Sequence, residues 1–134
     1  MNVDRVAPMV DIAVSGLRAQ SLRLNLISAN IANAETTRTA AGEPYRRQDV
    51  VLSTTPDSLG GVMVLNIEKD RRDFRSVLIP GHPEADEDGN VRLPNVDLPA
   101  EMMNMVVATR AYQANAAVLK RYQDMVEVTI ELLR

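Results

Sequence analysis

The first third of the chain has the hydrophobic spacing of one long helix. Apolar or small residues recur seven positions apart in two rows. The rows are Val3, Val10, Leu17, Leu24 and Ile31, and Val6, Ala13, Gln20, Ile27 and Ala34. They interlock with the three-and-four spacing of a heptad seam, interrupted only by Gln20. Pro8 suits a first helical turn, where its missing N–H is not needed, so we predict a helix from about Pro8 to about Asn33.

The last third of the chain repeats this pattern. Its main row is Leu98, Met105, Tyr112, Leu119, Val126 and Leu133, and a neighbouring row is Ala111, Val118, Met125 and Leu132. Pro99 again fits a first turn, and Asp97 and Glu101 complement the positive end of the helix dipole. We predict a helix from Leu98 or Pro99 to Leu133. The methionines at 102, 103 and 105 are expected in the helix core.

Between the two helices the hydrophobic period becomes alternating, which is typical of strands. The predicted strands are Tyr45 to Ser53, Val62 to Ile67, Phe74 to Ile79 and a short Val91 to Leu93. The predicted fold is mainly α with a β insert. Residues 1–34 and 98–134 form an antiparallel coiled-coil core, and residues 35–97 form a small insert rich in β-hairpins.

Both helices carry more apolar and small surface than one helix pair covers. The periodicity alone fits two interpretations equally. One is a helical hairpin that closes on itself and binds a partner helix through its Met- and Ala-rich C-terminal face. The other is an assembly subunit, whose terminal segments would be partly disordered until partners cover them.

Composition and charge exclude several kinds of function. The chain of 134 residues has a net charge of -3, no cysteine, 3% aromatic residues and one histidine, His82, which lies between two prolines. We therefore predict no enzyme, no cofactor and no nucleic-acid partner or small-molecule substrate. The run Asp86 to Asn90 lacks calcium-loop spacing, so no metal site is expected. The pairs Arg46-Arg47 and Arg71-Arg72 are expected in surface ion pairs or subunit contacts.

Two further features concern membranes and export. No stretch approaches the roughly 18 apolar residues of a membrane span, so we expect a chain that does not span the membrane. The first residues, Met1 to Pro8, lack the basic and apolar regions of a Sec signal. Any export is therefore expected to use another route.

Several motifs carry a family resemblance. Ser28-Ala-Asn-Ile-Ala-Asn-Ala-Glu-Thr36 resembles the Ala-Asn-x-x-Ala-Asn signature that closes the first helix of flagellar rod, hook and hook-associated proteins. Ala108 to Asn115 is similar to their Arg-x-Tyr-x-Ala-Asn motif. Glu35-Thr-Thr-Arg38 replaces the Asn-Thr-Pro-Gly-Tyr continuation of hook and distal-rod relatives, which favours the proximal rod. Similarity to proximal-rod members continues through Gly42 to Gln48, Val50 to Leu52, Pro80 to Asp86, Val91 to Val96 and Glu101 to Met105.

This resemblance implies a structural rod subunit of the bacterial flagellar basal body. Its implied partners are its own copies, other rod proteins, and the membrane ring and export gate at the rod base. Such proteins leave the cytoplasm unfolded through the flagellar type III apparatus, cross the periplasm as a helical tube around an axial channel, and transmit torque. The expected assembly interface comprises Leu17, Leu24, Ile27, Asn30, Ile31, Asn33, Met105, Tyr112, Asn115, Leu119, Tyr122 and Val126. The three asparagines are expected to satisfy polar groups and fix helix register.

Overall fold

The structure is a computed structural model that describes residues 7–56 and 60–133. Its elements are α1 (Ala7–Ala32), β1 (Gln48–Thr54), β2 (Val62–Lys69), β3 (Arg75–Leu78), β4 (Asn90–Leu93) and α2 (Leu98–Leu132). Val3 and Val6, the first members of the two predicted heptad rows, and Arg134 lie outside the described residues. The predicted fold class, two packed helices around a β insert, is confirmed.

The helix boundaries follow from local chemistry. Asp97 caps α2 by accepting a hydrogen bond from the amide of Ala100, and Pro99 sits in the first turn. Asn33 closes α1, because both its backbone N–H and its side-chain Nδ2 donate to the carbonyl of Ala29, at 3.0 and 2.9 Å. The second asparagine of the Ala-Asn-x-x-Ala-Asn motif thus satisfies a helix-end carbonyl, as predicted.

The two helices run antiparallel in one register. Asn30 lies against Glu101 at one level, and Gly16 lies against Asn115 at another. Fourteen residues separate the two levels in each helix, or roughly 21 Å at 1.5 Å per residue. A Cβ atom on Gly16 would stand only 2.8 Å from Nδ2 of Asn115, so the glycine permits the close approach. Ala108 of α2 is also fully buried.

The β1–β2 hairpin lies along α1. Its strands pair antiparallel from Gln48 opposite Lys69 to Thr54 opposite Val62, with a bulge between Val51 and Leu52. One end is held at Asn30, and at the other end the amide of Val62 donates to Oγ of Ser15 at 3.0 Å. Helix α1 therefore packs against both α2 and this hairpin.

The second hairpin, β3–β4, pairs Arg75 with Leu93 and Leu78 with Asn90. At its base the guanidinium groups of Arg46 and Arg92 both lie over the Phe74 ring, 4.2 and 4.8 Å from the ring centroid. Its turn contains the predicted Pro80 to Pro83 break and the acidic run, where the Asp86 carboxylate accepts from the amides of Asp88 and Asn90.

The first predicted strand begins too early. Tyr45 to Arg47 precede β1 because their backbone amides bond elsewhere. The amide of Tyr45 donates to the carbonyl of Thr36, and that of Arg47 donates to Oδ1 of Asn95 at 2.8 Å. Neither described helix has the length and apolarity needed to cross a membrane.

Candidate assembly interface

A buried polar cluster joins the two helices to the insert. We call Asn30, Tyr45, Arg47, Asn95 and Glu101 the polar hub. Asn30 is completely buried, and its Nδ2 donates to the carbonyl of Gln48 at 2.8 Å and to Oε2 of Glu101 at 3.0 Å. Its Oδ1 accepts from the Tyr45 hydroxyl and from the Gln48 amide, both at 2.9 Å. All the hydrogen-bonding capacity of the Asn30 side chain is therefore used inside the subunit.

An ion pair forms the charged part of the hub. Glu101 is 1% exposed, and its Oε1 accepts a 2.6 Å hydrogen bond from Nε of Arg47. Nη2 of Arg47 also donates to Asp49 at 3.1 Å. Burial opposes the charge on Arg47, but hydrogen bonds and attraction to Glu101 and Asp49 raise the pKa of the guanidinium overall. Arg47 therefore stays charged, and its bond to Glu101 fixes the start of α2 against the insert.

Asn95 connects the hub to both hairpins. Its Oδ1 accepts from the amide of Arg47, just before β1, and its Nδ2 donates to the carbonyls of Asp70 and Arg72 between β2 and β3. Asn95 itself lies two residues after the end of β4 and is 6% exposed. The segments around the two hairpins are therefore tied together by one buried amide.

The predictions for Glu101 and Arg47 missed the internal contacts of both side chains. Glu101 does lie in the first turn of α2, as the dipole argument requires, but its principal contacts are internal. Arg47 was expected in a surface ion pair or a subunit contact, whereas its ion pair with Glu101 is internal and its side chain is only 15% exposed. Arg72 does form an exposed ion pair, with Asp70 at 2.7 Å. Spacing along the chain did not distinguish the two arginines because their partners are set by tertiary packing.

Tyr45 gives the hub a measurable pH dependence. Burial, and then the charge of Glu101, raise the pKa of Tyr45 above its ordinary value of 10.0. Because the folded pKa is the higher one, the stabilisation is complete below pH 10 and is lost as pH rises through the folded pKa. We expect Tyr45→Phe to lower the free energy of unfolding by about 1 kcal/mol at pH 8. This deficit should shrink above pH 10, as urea unfolding at a series of pH values will measure. A deficit that grows with pH would contradict the assignment.

Helix α2 exposes most of its apolar surface. Glu101 and Ala108 are its only buried residues among those described. We call Met102, Met103, Val106 and Val107 the outer face of α2; their exposed fractions lie between 57 and 69%. The expectation that the methionine cluster packs in a core is therefore wrong for Met102 and Met103. A contiguous apolar patch of this kind marks an interaction surface.

The predicted interface residues fall into three groups. Ile27 and Asn30 are buried within the subunit, whereas Tyr112 and Val126 are exposed. The half-buried remainder is Leu17, Leu24, Ile31, Asn33, Met105, Asn115, Leu119 and Tyr122. Of the three asparagines, Asn115 packs against Gly16, Asn30 bridges the helices, and Asn33 closes α1. Contact of the twelve residues with neighbouring subunits stays a prediction.

His82 and the acidic residues were predicted to have no catalytic or metal-binding role. His82 lies in the β3–β4 turn, where its Nδ1 accepts from the amide of Glu84 at 3.1 Å. Within residues 7–56 and 60–133, no three acidic or histidine side chains come close enough to hold a metal ion.

Comparisons with known proteins agree with these features. Residues 11–38 match the family described as Flagella basal body rod protein, and residues 87–132 match Flagellar basal body rod FlgEFG protein C-terminal. The flagellar basal-body rod protein FlgC of Agrobacterium fabrum is 41% identical over 98% of each chain. FlgC of Yersinia enterocolitica is 43% identical over 91% of this chain and 93% of its own. FlgC of Bacillus subtilis is 34% identical over 92% and 95%.

The paired terminal helices and these matches define a structural protein of the flagellar basal-body rod. Within that class, the chain belongs to the family of the flagellar basal-body rod protein FlgC.

Proposed function

We propose that this chain is a subunit of the proximal rod that assembles through its terminal helices. Copies of the chain and other rod proteins would pack into a helical tube that encloses the export channel and transmits torque. The tube would cross the periplasm and join the membrane ring and export gate to the hook. The subunit would reach this place through the flagellar type III apparatus, without a Sec signal.

The observation that carries this proposal is the apolar exposure along α2. The outer face lies near its start, and Val128 and Ile130, at 54 and 62% exposed, lie near its end. Exposing such side chains to water forgoes roughly 25 cal/mol for each Å² of apolar surface that a partner would cover. Apolar surfaces near both ends of one helix suit a subunit with more than one neighbour.

The polar hub connects the helical and the β-rich parts of the proposed subunit. The helical core (residues 1–34 and 98–134) and the insert (residues 35–97) are linked through fully hydrogen-bonded side chains on both parts. A satisfied buried network resists rotation of one part against the other, because any rotation breaks several hydrogen bonds at once. We infer that load passes between the helices and the hairpins through this hub.

Hydrogen exchange tests whether assembly orders the helices. In the isolated chain, amides near Asn30 and Glu101 should be protected by the hub. Amides of residues 7–15 and 116–133 should exchange much faster, because one helix pair covers them only in part. In purified basal bodies these outer segments should become protected, while β1 and β2 change little.

The hairpin amides serve as the internal control, since they are paired within the chain in both states. Full protection of residues 116–133 in the isolated chain, unchanged in basal bodies, would argue against assembly through this helix. A self-contained helical hairpin would then account better for the structure.

A further inference from the structure

A notch opens at the side of the helix pair, close to the hub. It has a volume of about 180 Å³ and lies where Arg23 of α1 meets Ala108 of α2. The small, buried side chain of Ala108 leaves this space open. Asn104 and Val107 form the α2 side of the notch, and Val107 is 62% exposed at its rim. The notch is thus a polar recess beside the apolar outer face of α2.

The polar groups of the notch favour a carboxylate ligand. Arg47 and Asp49 also line the notch, where their charges pair with each other, and Arg47 binds Glu101 as well. Arg23, in contrast, forms no ion pair within the described part of the chain. Asn104 donates one N–H to Glu101 over a long 3.4 Å, which leaves its other N–H available. A guanidinium and an amide N–H that face one recess from two helices form a donor set for a carboxylate oxygen pair.

The same chain carries a segment of complementary charge. In the antiparallel register, Ala7, where the described part of α1 begins, lies level with Asp124 of α2. The last turns of α2 extend beyond that level and expose Glu127 and Glu131, one turn apart on the same face as Ile130. This segment therefore carries carboxylates beside exposed apolar side chains. The notch, in turn, carries hydrogen-bond donors beside the exposed side chain of Val107.

We propose that the notch of one subunit binds the carboxylate of Glu127 or Glu131 from the terminal segment of α2 in a second copy. Ile130 of that copy would cover Val107. This inference rests on the proposed function, because it names one contact of the assembled rod. The contact joins two different patches, so it is heterologous and propagates from copy to copy instead of closing a dimer. Glu127 lies nineteen residues after Ala108, which would stagger copies by roughly 28 Å along the helix axis.

A charge-swap series tests the contact. Arg23→Glu should lower the amount of the chain in purified basal bodies by about tenfold or more, because it places like charges together at an interface. Arg23→Gln, which keeps the shape of the side chain, should show a smaller loss. Glu127→Arg combined with Glu131→Arg should fail in the same way, and adding Arg23→Glu to that pair should restore incorporation and swimming. Thermal unfolding of each purified chain should match the wild type.

Arg18→Glu is the matched control, since Arg18 is an exposed arginine on the same helix. Its incorporation should equal that of the wild type. If Arg23→Glu also incorporates normally, or if the combined variant is not restored, the proposed contact is wrong while the rod assignment stands. Absence of the wild-type chain from basal bodies would overturn the proposed function itself.

Discussion

Glu101→Ala should lower the free energy of unfolding of the isolated chain by about 3–5 kcal/mol. The substitution removes the acceptor of Arg47 and leaves a buried guanidinium with only the partly exposed Asp49 as its counter-charge. It also leaves Asn30 with an unused N–H inside the subunit. Urea unfolding followed by circular dichroism will measure the loss. Glu84→Ala is the matched control, because its pair with Arg38 is exposed and should cost less than about 1 kcal/mol.

A double variant separates the cost of an unpaired charge from the cost of lost packing. Arg47→Met with Glu101→Met removes both charges and keeps apolar volume in their place. Replacement of a complete buried ion pair is often neutral or stabilising by about 1–4 kcal/mol, so the double variant should recover most of the loss seen with Glu101→Ala. It should keep a deficit of about 1–3 kcal/mol, because the N–H of Asn30 that donated to Glu101 stays unpaired. If it is as unstable as Glu101→Ala, the loss comes from packing at these positions and not from an unpaired charge.

Local chemistry is what made the fold predictable from sequence. The heptad rows, the prolines at the helix starts and the asparagine at the end of α1 act within a few residues, and the structure places the helices within one or two residues of their predicted bounds. The alternating pattern likewise located the four strands of the described residues. The boundary of β1 was missed because the amides of Tyr45 and Arg47 bond to distant groups, which no local pattern records.

Such local patterns did not predict the hub, because its residues are far apart along the chain. Glu101 lies 54 positions from Arg47 and 71 positions from Asn30 along the chain. One signal was present, since Glu101 is the one charged residue in the run Leu98 to Val107. A single carboxylate within an apolar helical stretch suggests an internal partner as well as a dipole contact. The position of Glu101 at the start of α2 already accounted for its charge, so its ion pair with Arg47 was not predicted.

The heptad rows predicted the width of the apolar surface better than its orientation. Ile27 and Tyr112 were both assigned to the interface, yet the first is buried in the subunit and the second is 39% exposed. A row of apolar residues looks the same whether it faces the partner helix, the hairpin or a neighbouring subunit. The methionines of the outer face were assigned to the helix core, although they lie beside the heptad rows and not within them.

Substitutions in the hub and in the outer face should have different effects. Hub residues are buried or half-buried and are hydrogen-bonded within the subunit, so changes there should act on folding of the single chain. Outer-face residues have few contacts within the chain, so changes there should leave folding intact and act on association. Comparison of unfolding with motility for the same variant therefore reports which of the two roles a residue has.

Val106→Asp should abolish swimming while leaving the isolated chain folded. Val106 is 57% exposed on the outer face of α2, and valine and aspartate have similar helix propensities, so stability should change by no more than about 0.5 kcal/mol. A charge buried without a counter-charge at a subunit contact is far more costly, so incorporation into the rod should fail. Swimming in soft agar, the amount of the chain in basal bodies and urea unfolding of the purified chain will test this.

Gln113→Asp provides the matched control for Val106→Asp. It introduces the same charge at an exposed polar position of the same helix, outside the apolar patch, and should permit swimming. Normal swimming with both variants would show that the outer face stays in water, and the apolar exposure of α2 would then need another explanation. Loss of swimming with both would indicate that α2 tolerates no added negative charge, whereas loss with Val106→Asp alone locates a subunit contact on the outer face. The last result is the expected one, because only a covered apolar surface makes a folded subunit this sensitive to one exposed residue.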